Sequence, residues 1–182
     1  MCEPRKLNAE EWCVVLTSLA ANLPPDHQRH VILIGGVAMA LGYGSRRTTE
    51  DADVVMTPDV ADEVLPAAEQ IAAQNDLPLD WMNMRAWDAG LITAPSPHKT
   101  VLVTSSIVFE VPSTEHMLAM KLVRFAGDTD RKDAEILIKR LLPSFSHIED
   151  LWAVLGGLVP PSKRAQARYH LDIFWEKIHE ST

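Results

Sequence analysis

The spacing of hydrophobic positions changes near residue 113, and that change organises the chain. Before it, short apolar runs alternate with amphipathic stretches. "LNAEEWCVVLTSLAANL" carries Trp12, Val15, Leu16 and Leu19 on one helical face, with Asn8 where an N-cap belongs. "PPDHQRH" is a polar break. "VILI", residues 31–34, is rich in β-branched residues and stops at Gly35-Gly36, which predicts a short buried strand. "VAMALGYG" predicts a short helix closing at Gly42 or Gly44, and "DADVVM" a second strand. "TPDVADEVLPAAEQIAAQN" opens with Thr57 as cap and Pro58 at the first helical position, so it predicts a long helix that Pro66 weakens. "LPLDWMN" predicts a third strand, and "TVLVTSSIVFEVP" a hairpin turning near Ser105-Ser106.

From Ser113 onward the period is helical. "STEHMLAMKLVRFA", "DRKDAEILIKRLL", "SHIEDLWAVLGGL" and "PSKRAQARYHLDIFWEKIHE" predict four helices, the third with a capping-box spacing at Ser146 and Glu149. In the last, Lys163, Arg164 and Arg168 lie opposite Leu171, Phe174 and Trp175, an amphipathic docking face. The expected fold class is α/β (α+β). Residues 1–112 form a small mixed sheet with flanking helices, and residues 113–182 a helical region that either stands apart or packs on the sheet.

Composition narrows the setting. At 182 residues the chain suffices for one domain, or for a core with an appended subdomain. No apolar run approaches the roughly 18–20 residues needed to span a bilayer. Glu3, Glu10 and Glu11 interrupt the start, which lacks the apolar centre of a signal peptide. Two cysteines, Cys2 and Cys13, give no disulfide framework, and a reducing, cytoplasmic location is expected. The net charge of -8 argues against a broad non-specific nucleic-acid surface.

The candidate chemistry lies in "VILIGGVAMALGYGSRRTTEDADVVM". Alternation along a strand points Asp51 and Asp53 the same way, with Ala52 opposite. Two close carboxylates repel, and recruiting a cation relieves the repulsion. All-oxygen ligation suits a hard ion such as Mg²⁺. Glycines at a strand-to-helix turn let backbone N–H groups approach phosphate oxygens, and the helix N-terminus adds a favourable field. Either pair alone is common; in strand, Gly-Gly, helix, Asp-x-Asp order they suggest a nucleoside triphosphate and its metal. "GGVAMALG" matches neither a Walker A loop nor a dinucleotide fingerprint.

The segment "GGVAMALGYGSRRTTEDADVV" resembles the core of the polymerase-β-like nucleotidyltransferase superfamily, in particular the AbiEii-type toxin nucleotidyltransferases and related uncharacterised families. The shared features are Gly-Gly, a small helix, Arg-x-Thr and Asp-x-Asp. "EHMLAMKLVRFAGDTDRKDAEIL" resembles the same group's helical lysine followed by an Arg/Lys-Asp segment, and the likeness covers roughly residues 30–140. Where many members carry Gly-Ser, this chain has Gly36 and no serine hydroxyl.

The resemblance implies a two-ion Mg²⁺ site on Asp51 and Asp53 and transfer of a nucleoside monophosphate from an NTP to a hydroxyl. It implies a third carboxylate on a neighbouring strand, for which Asp80 is the choice and Glu110 the rival. It implies catalytic roles for Lys121 and Asp133 and phosphate contacts for Gly35, Gly36, Arg47, Thr49 and Arg131. The acceptor is a tRNA 3′ end, a protein side chain or a small alcohol. The alternative is a catalytically degenerate nucleotide-binding or interaction module.

Taken without the resemblance, Lys121 among Met117, Leu118 and Met120 either snorkels to solvent or reaches a charge. The alternating charges of "DTDRKDAE" read as a solvated first turn. Trp81 reads as a core residue.

Overall fold

The computed structural model describes residues 5–45, 48–88, 99–125 and 127–180. Among these, the chain gathers into two compact units. One comprises the residues up to Ala86 together with the stretch that ends at Pro112; the other comprises Trp87, Asp88 and the residues from Ser113 onward, so that the short helix Arg85–Asp88 is divided between them. Each is described by itself.

In the first unit, α1 (Ala9–Ala21) starts as its sequence dictates. The Asn8 side chain accepts from the Glu10 and Glu11 N–H groups, and Glu11 reaches back to the Asn8 N–H in a complete capping box. Trp12, Val15, Leu16 and Leu19 are all buried. Next come β1 (Arg29–Leu33), α2 (Gly35–Tyr43), β2 (Ala52–Val55), α3 (Pro58–Ala72), β3 (Met82–Asn83), the short α4 (Arg85–Asp88), β4 (Lys99–Val103) and β5 (Ile107–Val111). The helix α2 closes on Gly44 in the left-handed conformation, and α3 runs unbroken through Pro66.

The strands form one mixed sheet in the order β3-β2-β1-β5-β4. β1 pairs antiparallel with β2 and parallel with β5, while β2 pairs parallel with β3 and β4 antiparallel with β5. The β2–α3–β3 segment is therefore a parallel crossover, and β4–β5 is the hairpin expected from the sequence.

These registers assign every strand residue to a face. Arg29, Val31, Leu33, Ala52, Val54, Ile107, Phe109 and Val111 share the first face and are buried. The helices α2 and α3 cover it: Gly42 lies against Val111, and Glu63 bonds Arg29. Burial works against the Arg29 charge, yet its hydrogen bonds to Glu63 and Asp26 outweigh this and raise its pKa. Trp81 caps the same core, its Nε1 donating to the Ala68 carbonyl at 2.9 Å and its ring 5.6 Å from that of Trp12. The second face carries His30, Ile32, Asp53, Val55, Asn83 and Glu110, and alternation adds Asp51.

The second unit holds α5 (Thr114–Arg124), α6 (Asp128–Leu141), α7 (Ile148–Leu158) and α8 (Arg164–Glu180). Its core is built from Met117, Leu118, Leu122, Leu137, Leu151 and Phe174. The capping box expected at Ser146 and Glu149 does not form. The N-cap is His147, with no side-chain bond, because Glu149 binds Arg168 of α8 instead. Among the described residues no helix is long and apolar enough to cross a membrane.

Candidate active site

β1 ends at Leu33, Ile34 stays extended, and Gly35 turns the chain into α2 with φ of +63°. A side chain there would be strained by that backbone angle alone. It would also collide: a Cβ on Gly35 would sit 2.8 Å from Asp53 Oδ2. The Asp53 carboxylate therefore lies against the bare first residue of α2. The Ile34 N–H donates to the Asp53 carbonyl at 2.9 Å, which locks the two segments together. The N-cap residue Ile34 contributes no side-chain bond, and Gly36 is buried within the first turn. The helix N-terminus and the carboxylate are thus electrostatically matched.

Asp51 lies one residue before β2 and, like Asp53, is half-buried, whereas Ala52 and Val54 are fully buried. Thr49 holds it. The Thr49 backbone pairs with Leu7 through two hydrogen bonds, and its Oγ1 donates to Asp51 Oδ1 at 3.3 Å. The observed partner of Thr49 is the aspartate, so it acts as an orienting group. Arg47 falls outside the described residues.

The third strand is shorter than expected, and this moves Asp80. β3 comprises Met82 and Asn83 alone, and Asp80 sits in the turn before it, closed by the Trp81 N–H to the Pro78 carbonyl. Asp80 is exposed and ion-paired with Arg85. Proline at 78 and the burial of Trp81 in the core set this turn, so Asp80 does not join the aspartate pair. The residue in register with Asp53 is Asn83. Glu110 shares the second face but is separated from β2 by the whole of β1, and its Oε2 lies 2.9 Å from His30 Nδ1. Among the described residues, no three His, Cys, Asp or Glu side chains are gathered to hold a metal ion. Asp51 and Asp53 offer two oxygen donors on one strand, which fits a hard divalent cation; Asp80 is no part of that set.

The second unit contains a separate ionic cluster. Lys121 on α5 is buried, with Nζ 2.8 Å from Asp130 Oδ1 and 2.8 Å from Asp133 Oδ2 of α6. Both carboxylates are buried as well, and Arg124 Nε lies 4.0 Å from Asp130 Oδ2. Lys121 does not snorkel, and the start of α6 is not simply solvated. Arg131 is exposed; it lies 3.8 Å from Asp128 and 5.4 Å from the Phe125 ring centre, away from the buried trio. Asp130 is the residue that sequence reasoning missed. Its signal was the i,i+3 spacing to Asp133, which puts both on one helix face.

Searches against protein-family models, curated proteins and solved structures return no match. The functional reading therefore rests on the residues themselves and on the resemblance of their order to a known superfamily.

Proposed function

We propose that this protein is a divalent-metal-dependent nucleotidyltransferase that moves a nucleoside monophosphate from an NTP to a hydroxyl acceptor. The observation that carries the reading is the Asp53 carboxylate seated against Gly35 at the start of α2, with Asp51 on the same strand face. That contact explains why the Gly-Gly and Asp-x-Asp pairs occur together: the first must lack a side chain for the second to reach its place. Asp51 and Asp53 would bind Mg²⁺, Thr49 orients Asp51, and the first turn of α2 would present backbone N–H groups to a phosphate. Bound Mg²⁺ supplies charge neutralisation of the phosphates and lowers the pKa of an attacking hydroxyl. Lys121 and Asp133 enter the reading through the resemblance, with Asp130 as a third member of their cluster. The acceptor is a tRNA 3′ end, a protein side chain or a small alcohol, and the net charge of -8 favours a locally recognised one.

One observation favours a second reading. Asn83 stands beside Asp53 where a third carboxylate would complete the set, and a site with two carboxylates suits nucleotide binding without transfer. Calorimetry of ATP, GTP, CTP and UTP, with and without Mg²⁺, tests the shared premise. Metal-dependent binding that disappears in Asp51→Ala/Asp53→Ala supports a metal-nucleotide site. Binding that survives the double substitution refutes it.

A further inference from the structure

Asn83 is only 7% exposed, and its Nδ2 group has no hydrogen-bond partner among the described residues. Buried amides are normally satisfied, so an orphaned one calls for a reason. Its orientation is not arbitrary. Asn83 Oδ1 accepts from the Arg85 N–H at 3.1 Å, and turning the amide over would set two donors against each other. The donor end is therefore directed away from α4. The strand beneath it is held firmly, since the Ala52 N–H donates to the Trp81 carbonyl and the Trp81 ring is anchored to α3. In this parallel ladder Asn83 is the direct partner of Asp53, about 4.8 Å across and on the same face.

We propose that Asn83 is a ligand-binding residue whose amide donates a hydrogen bond to a phosphate oxygen of the nucleotide held at Asp51 and Asp53. The proposal rests on the nucleotidyltransferase reading and extends it. Asn83 occupies the place of a third carboxylate but performs the opposite task. Its oxygen accepts from the Arg85 N–H, and its Nδ2 is the end left over. An N–H group cannot ligate a cation, so this donor addresses the anion while the aspartates hold the metal. No hydrogen bond to a described residue has to be given up for this donor to engage a ligand.

The test is calorimetry of the four NTPs with MgCl₂ on the wild-type chain, Asn83→Ala and Asn83→Asp, each checked for folding by thermal melting. Asn83→Asp keeps the acceptor for the Arg85 N–H, removes the donor and adds a negative charge beside Asp53. The expected result is nucleotide affinity about tenfold weaker in Asn83→Ala, as for loss of one hydrogen bond to a charged group, and weaker by at least as much in Asn83→Asp. Unchanged binding in Asn83→Ala overturns the proposal and means that water alone satisfies the amide. Tighter, more metal-dependent binding in Asn83→Asp also overturns it and makes the position a ligand slot for the cation. If Asn83→Asp does not fold, the alanine variant decides. Wild-type protein that binds no NTP contradicts the transferase reading itself, a result distinct from a failure at Asn83 alone.

Discussion

Gly35 concentrates two independent constraints on one position, and the consequences are measurable. Its φ of +63° and the 2.8 Å approach of Asp53 Oδ2 to a Cβ both exclude a side chain. Gly35→Ala is expected to lose about 1–3 kcal/mol in urea denaturation, from backbone strain and the displaced carboxylate together. Metal-dependent nucleotide binding should fall with it. The glycine was visible in the sequence; the reason for it was not, because the contact joins residues 35 and 53 through a register that only folding establishes.

Lys121 makes the complementary case. A lysine in an apolar stripe has the same sequence signature whether it snorkels or pairs, and "DTDRKDAE" looks solvated by charge alternation alone. In the structure Lys121 is buried between two buried aspartates. Lys121→Met should destabilise the protein by about 3–5 kcal/mol, since it removes the ammonium that bridges two buried carboxylates. The triple variant Lys121→Met/Asp130→Asn/Asp133→Asn should be less destabilised than the single one. Equal losses in the two would contradict a coupled cluster.

At the scale of elements, local chemistry predicted well wherever it was self-contained. The Asn8–Glu11 capping box, the proline at the start of α3 and the β4–β5 hairpin all follow from neighbouring residues. Prediction failed where a distant partner decided. The strand over "LPLDWMN" shrank to Met82 and Asn83 because Trp81 turns into the core beside Trp12, a contact spanning most of the first unit. The start of α7 lost its capping box because Glu149 is taken by Arg168, nineteen positions away.

That Glu149–Arg168 bond ties α7 to α8 and carries a pH signature. The guanidinium hydrogen bonds hold the Glu149 carboxyl below its ordinary value of 4.5. A carboxyl with a lowered folded-state pKa stabilises the protein above its unfolded pKa, and the contribution is lost as pH falls through the folded value. Wild-type and Glu149→Gln proteins should therefore differ in urea midpoint at about pH 6, and the difference should shrink as pH falls below the ordinary carboxylate range. The difference should shrink in high salt, because the pair is exposed. A gap that widens on acidification would show the sign to be wrong.

At the scale of the molecule, one unit holds a five-stranded mixed sheet and the other a bundle of helices, and the charged candidate residues are divided between them. Asp51 and Asp53 lie in the first, Lys121, Asp130 and Asp133 in the second. The division was legible as a change of hydrophobic period near residue 113. The net charge of -8 makes a further demand: an acceptor nucleic acid would be gripped at few phosphates. Its affinity should then decline only shallowly with salt, in contrast to the steep loss shown by proteins with six to ten phosphate contacts.

Transfer of a nucleotide can be observed without knowing the acceptor. Purified protein would be incubated with each α-labelled NTP, Mg²⁺, total RNA and cell extract, beside an Asp53→Asn control. Transfer predicts that label from at least one NTP becomes fixed to an RNA, protein or small-molecule acceptor, and that the Asp53→Asn protein fixes none. Label absent with all four NTPs, or undiminished in the Asp53→Asn protein, would contradict it.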